Sequence, residues 1–140
     1  MATIRLATQY PVSKELVWEQ LVHDELMSDW CMPCSGFALT KGKEFTFNIE
    51  PNAFFAGTFY NTLTDFADGE FLEYRCVAKK PVLDTVVRWT LTEQDGATTL
   101  NLEHSGFKGS AFMTKTMLTA GWKKMMTEHL MQKLTNKTEE

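Results

Sequence analysis

The run from Thr98 to Leu134 constrains the fold most, because its hydrophobic period changes from that of a strand to that of a helix. Leu100, Leu102 and His104 alternate with Thr99, Asn101 and Glu103, which predicts a strand with one apolar and one wet side. Ser105-Gly106-Phe107 breaks that pattern, and the longest helical pattern of the chain follows. At about 100° per residue, Leu118, Trp122, Met125, Met126 and His129 share one face with Leu130 on its flank, opposite Lys124, Thr127 and Glu128. Such a helix needs a partner. Gly121, in mid-helix, costs up to about 1 kcal/mol relative to Ala, so its presence predicts a close approach of another element there. A β-sheet begun by the preceding strand is the expected partner.

The remaining chain supplies the other strands. Ile4, Leu6, Thr8 and Tyr10 alternate with polar or small residues until Pro11. Ser13 is placed as an N-cap for a helix from Lys14 to about Val22, and a shorter helix from Asp24 to Trp30 is closed off by Pro33 and Gly36. Strand patterns then run to Gly106. Phe37 to Thr40 is expected to pair across Lys41-Gly42-Lys43 with a strand carrying Phe45, Phe47 and Ile49. Phe54 to Phe66 forms the longest strand pattern, but its aromatic residues fall on both parities, so its inward side stays open. Leu72, Tyr74 and Cys76 mark the next strand, and Val87, Trp89 and Leu91 one face of Thr85 to Glu93, with turns at Asp68-Gly69 and Asp95-Gly96. This order predicts an α+β fold in a single domain, 1–140: a curved antiparallel sheet of six or seven strands around a long C-terminal helix, with two short helices between the first two strands.

Composition excludes several classes. A hydrophobic share of 44% over 140 residues suits one globular core. No apolar run approaches the roughly 18 residues a spanning helix needs, and the N-terminus MATIRLATQY lacks the apolar core of a signal peptide, so a cytoplasmic protein is expected. With 14 basic and 18 acidic residues the net charge is −4, and the scattered basic residues leave no footprint for nucleic acid. Three cysteines, an odd count, point to reduced thiols.

Several short pieces, in this order and spacing, resemble the activator of heat-shock-protein-90 ATPase homologue family within the START-like (SRPBCC, Bet v 1-like) superfamily. They are Pro11-Val12-Ser13 with Val17-Trp18, Trp30 with Gly42, Gly57-Thr58-Phe59, Thr98-Thr99-Leu100 through His104-Ser105-Gly106-Phe107, and Gly121-Trp122 with Leu130. The resemblance implies a helix-grip fold whose members bind apolar small molecules or have no established activity, and it supplies no shared catalytic motif and no cofactor. It also implies a chaperone partner, but in the eukaryotic activators a separate N-terminal domain also engages the chaperone, and one domain is present here.

The candidate site is the space between sheet and C-terminal helix, lined by Trp30, Phe47, Phe55, Phe59, Tyr74, Trp89, His104, Leu118, Trp122, Met125 and Met126. These residues form a core first; methionine's flexible thioether also suits a pocket that accepts varied apolar ligands. His104 lies on the inward parity, where it is either a packed, hydrogen-bonded residue or the general base of a hydrolase or cyclase; Glu103 and Glu73 fall on the opposite parity, so no inward carboxylate is placed to orient it. Cys31-Met32-Pro33-Cys34 has the spacing of a redox motif, but it ends a helix instead of starting one, so no helix dipole activates the thiol. Cys31, Cys34, His23 and Cys76 offer only one close pair for zinc, so no metal is expected. The expected partner is a small apolar molecule, with no defined catalysis, no nucleic acid and no membrane span; a homodimer is compatible with the sequence.

Overall fold

Most of the period-2 patterns become strands. In the computed structural model, which describes residues 2–53, 55–108 and 112–136, the elements are β1 (Ala2–Tyr10), α1 (Lys14–Val22), α2 (Asp24–Trp30), β2 (Cys34–Ser35), β3 (Glu44–Asn48), β4 (Thr58–Ala67), β5 (Phe71–Lys79), β6 (Val82–Gln94), β7 (Ala97–Phe107), α3 (Phe112–Lys124), a π-helical segment (Met125–Leu130) and α4 (Met131–Asn136). The strands form one curved antiparallel sheet in the order β1-β7-β6-β5-β4-β3-β2, as the α+β reading expects. α1 packs on β6 and β7, α3 on β1, and α2 on the π-helical segment. Among the described residues no helix is long and apolar enough to cross a membrane.

Three strand expectations are corrected. Phe37 to Thr40 is not a strand: Thr40 N–H turns back to the Ala38 carbonyl at 2.8 Å, and the two-residue β2 pairs with β3 in its stead. The apolar side chains of that segment still serve the core, since Phe37 meets Phe45 edge-on at 5.0 Å. β4 begins at Thr58, so Phe55 belongs to the loop before it, while Phe54 lies outside the described residues. A register shift between Leu63 and Asp65 switches the parity of β4, so Phe59 and Phe66 both reach the apolar side from opposite parities. Gly106 does not end β7. At φ +99° it is the extra residue of a bulge, Ala2 pairing with Phe107 and Thr3 with Ser105, and a Cβ there would stand 3.3 Å from the Asp84 carbonyl.

The C-terminal rod is continuous, because Lys124 and Met131 on either side of the π-helical segment keep right-handed helical dihedrals. Among its described residues the buried side chains are Trp122, Met126, Leu130 and Leu134, four residues apart at every step. In a regular α-helix that spacing drifts by about 40° per step at about 100° per residue. The wider i→i+5 winding of the π-helical segment counters this drift and keeps the stripe on the sheet. Tyr10, at the end of β1, donates its hydroxyl to the Met126 carbonyl inside that segment at 2.7 Å, a buried bond between the first strand and the last rod.

Gly121 contradicts its sequence reading. A Cβ there would meet nothing within 4 Å, so no element packs against it closely. Gly121→Ala is therefore expected to stabilise the protein by about 0.5–1 kcal/mol, by lowering the backbone entropy of the unfolded chain. Urea unfolding measures this, and a loss of stability would mean that a neighbour approaches Gly121 after all.

Candidate functional site

The strand register brings inward residues of β3 to β6 into one row. Phe45 pairs with Asn61, Asn61 with Cys76, and Cys76 with Thr85, so all four side chains share the face that looks toward the C-terminal rod. From Thr85 a hydrogen-bonded chain reaches that rod. Trp122 Nε1–H donates to His104 Nδ1 at 3.1 Å, which leaves the ring proton of a neutral imidazole on Nε2, 2.8 Å from Thr85 Oγ1. Thr85 in turn donates to the Cys76 carbonyl at 2.9 Å. Both ring nitrogens of His104 are thus engaged, and burial pushes its pKa down to about 3. Among the described residues no carboxylate bonds to it: Glu103 pairs with Arg5 and Glu73 with Arg88 on the other face of the sheet. The chemistry available to His104 is that of a structural hydrogen-bond relay, and the general-base role raised by the sequence has no free lone pair to act through.

Most of the predicted lining residues come together on this face. Trp30, Phe47, Phe55, Phe59, Tyr74, Trp89, Trp122 and Met126 are buried. Trp89 sits between Trp30 at 6.0 Å and Trp122 at 5.4 Å, both edge-on, and its indole N–H donates to the Tyr74 hydroxyl at 3.1 Å. Leu118 and Met125 are only half-buried. His129 does not join His104. It is exposed on the rod's flank with Nδ1 3.4 Å from the Trp30 carbonyl, because the π-helical segment turns position 129 away from the buried stripe. Three surface clefts, one of them of about 530 Å³ beside Pro33, Asn48 and Pro51, are lined by other residues than those predicted.

The cysteine pair closes α2 as expected: Cys31 follows its last residue and Cys34 lies in β2. Burial pushes the Cys34 and Cys76 thiols up to about 12 and raises Cys31 well above the ordinary thiol value, so none has the thiolate character a redox nucleophile needs. His23 is exposed, and among the described residues no three metal-ligating side chains cluster.

Asn61 was missed by sequence reasoning. It is 2% exposed, and neither its amide nitrogen nor its amide oxygen has a hydrogen-bond partner. Leaving such an atom unpaired costs about 1–3 kcal/mol. The signal was present as Phe59-x-Asn61-x-Leu63, a polar residue spaced between two inward apolar ones. The other buried polar side chains among the described residues are Gln20, Thr85, Thr98 and His104, so the interior carries no charge.

A curved antiparallel sheet closed over a long C-terminal rod, with two short helices between its first strands and an uncharged, aromatic inner face, defines a helix-grip protein of the START-like kind. Residues 11–135 match the family described as activator of Hsp90 ATPase homolog 1-like protein, and the chain belongs to that family. No curated protein matches it in sequence. Among solved structures, protein MLL2253 from Mesorhizobium loti is 24% identical over 98% of each chain, with a TM-score of 0.85. The Aha1 dimer from Colwellia psychrerythraea is 15% identical over 96% of each chain, with a TM-score of 0.73. DynU16, from the dynemicin biosynthetic locus, is 24% identical over 95% of this chain and 47% of its own, with a TM-score of 0.76. These three share its fold.

Proposed function

We propose that this protein is a cytoplasmic carrier or sensor that holds a small, predominantly apolar molecule between the sheet and α3 and catalyses no defined reaction. The observation that carries this reading is the incomplete closure of α3 on the sheet. Along α3 Trp122 is fully buried, whereas Met117 and Leu118 one turn earlier are half-buried and a Cβ on Gly121 would face open space. Apolar side chains left half-covered against an aromatic core are the lining a small apolar ligand needs. Trp122 itself joins Trp89 and His104 in that aromatic core, where Trp89 donates to the Tyr74 hydroxyl.

Two measurements test it. Native mass spectrometry of freshly purified protein is expected to show a bound small molecule. Titration with 2-methylnaphthalene is expected to shift the indole N–H resonances of Trp89 and Trp122 in ¹H–¹⁵N spectra. A clean mass of the bare chain together with unmoved indole signals rejects the reading. The family's description favours a second one, regulation of a chaperone ATPase, and the Colwellia relative is a dimer. Stimulation of an Hsp90 ATPase by the purified protein, with a dimer mass in the same native spectrum, would put that reading first.

A further inference from the structure

We infer that the bound molecule carries one uncharged polar group able to donate and accept hydrogen bonds together, and that Asn61 is the residue that recognises it. This rests on the ligand-binding function proposed above. Asn61 lies in the row Phe45, Asn61, Cys76, Thr85, on the face that His104 and Trp122 bridge to the C-terminal rod. Its neighbours in that row and beyond have settled partners: Thr85 donates to the Cys76 carbonyl, and His104 uses one nitrogen for Trp122 and the other for Thr85. Asn61 alone in the row leaves a buried donor, Nδ2, and a buried acceptor, Oδ1, both unpaired. A side-chain amide with both ends free is complementary to a group that offers acceptor and donor on the same or adjacent atoms, such as a phenol, a lactam or a primary carboxamide.

A charged group is disfavoured at the same place. Among the described residues no Lys, Arg, Asp or Glu side chain is buried, so an anion or cation beside Asn61 would enter without a counter-charge. The rest of the ligand meets rings: Phe45 is the direct register neighbour of Asn61, and Phe45 stacks edge-on with Tyr74 at 5.1 Å. The ligand class is therefore a neutral aromatic or alicyclic molecule with a single hydroxyl or amide-like group.

The test compares 2-naphthol with 2-methylnaphthalene, two probes of nearly equal size, by ¹H–¹⁵N titration of wild type and Asn61→Leu. Leu keeps the branched four-atom side-chain skeleton of Asn but is bulkier, and it removes both unpaired atoms, so the variant is expected to fold; Asn61→Ala, which adds no bulk, provides a second background. The affinity ratio of 2-naphthol to 2-methylnaphthalene is expected to fall about tenfold in both variants, the value of one net hydrogen bond, while 2-methylnaphthalene affinity in Asn61→Leu is retained. An unchanged ratio with both probes binding overturns the role of Asn61 and assigns its amide to an ordered water, leaving the apolar site intact. Failure of both probes to bind wild type removes the ligand-binding function, and this inference with it.

Discussion

Trp122→Ala is expected to destabilise the protein by about 3–5 kcal/mol, the cost of deleting a large buried aromatic side chain. The ring is 2% exposed and fills the space between Trp89 at 5.4 Å and His104 at 6.0 Å. Its loss also strips His104 Nδ1 of the donor 3.1 Å away, leaving a buried acceptor whose desolvation costs about 1–3 kcal/mol more if water cannot follow. Against a domain stability of about 5–15 kcal/mol, this approaches global unfolding. Trp122→Phe is the intermediate case, since it keeps a six-membered ring but loses the N–H together with the rest of the pyrrole ring; about 1–3 kcal/mol is expected from the unpaired His104 acceptor, with the lost ring atoms adding to it. Urea midpoints of the two variants measure both. A Trp122→Ala protein within 1 kcal/mol of wild type would mean that the rod is held by the Met126, Leu130 and Leu134 end alone.

That the ring matters was legible in the sequence, and so was the inward side of His104, whereas the bond between them was not. His104 shares the parity of Leu100 and Leu102, and Trp122 lies on the apolar side of the last helix, so both face the interior in either description. Uninterrupted patterns translate directly: α1 and α2 start and stop at the expected residues because proline, glycine and the helical spacing all agree. β4 could not be oriented for a specific reason. The shift between Leu63 and Asp65 exchanges its two faces midway, and a bulge leaves no mark on composition. Phe37 to Thr40 has strand-like residues but sits behind Gly36 at φ +86° and folds into a tight turn, so the Phe37 ring packs without the segment joining the ladder. The rod's stripe at intervals of four departs from a 3.6-residue helix, and its π-helical segment follows from tertiary burial. Asn61 was overlooked because a polar residue in a strand is read as facing water by default, whereas here its neighbours Phe59 and Leu63 carry it inward.

Acid is expected to destabilise the protein steeply, through His104. Burial holds its native pKa at about 3, against an ordinary value of 6.5 that the unfolded chain regains. Between these two values the unfolded chain binds a proton that the native protein does not. Stability is therefore at its full value above pH 6.5 and falls with decreasing pH by up to about 1.4 kcal/mol per unit until the native ring itself is protonated. From pH 6.5 to 5, a window in which ordinary carboxylates remain ionised, the loss is expected to be near 2 kcal/mol, less the curvature at its upper end. His104→Gln supplies an amide oxygen to accept from Trp122 and an amide nitrogen to donate toward Thr85, but no titrating group, so its urea midpoint is expected to vary much less across this window. The ¹⁵N resonances of the His104 ring give an independent reading: Nδ1 bare, Nε2 protonated, and no titration above pH 4. These measurements also decide the catalytic alternative. A base whose native pKa lies near 3 has little affinity for a substrate proton at neutral pH, and its only lone pair already accepts from Trp122. A wild-type stability that stays flat from pH 6.5 to 5, with ring signals titrating near 6.5, would mean that His104 is open to protons from outside, and general-base chemistry in the interior would return as the leading function.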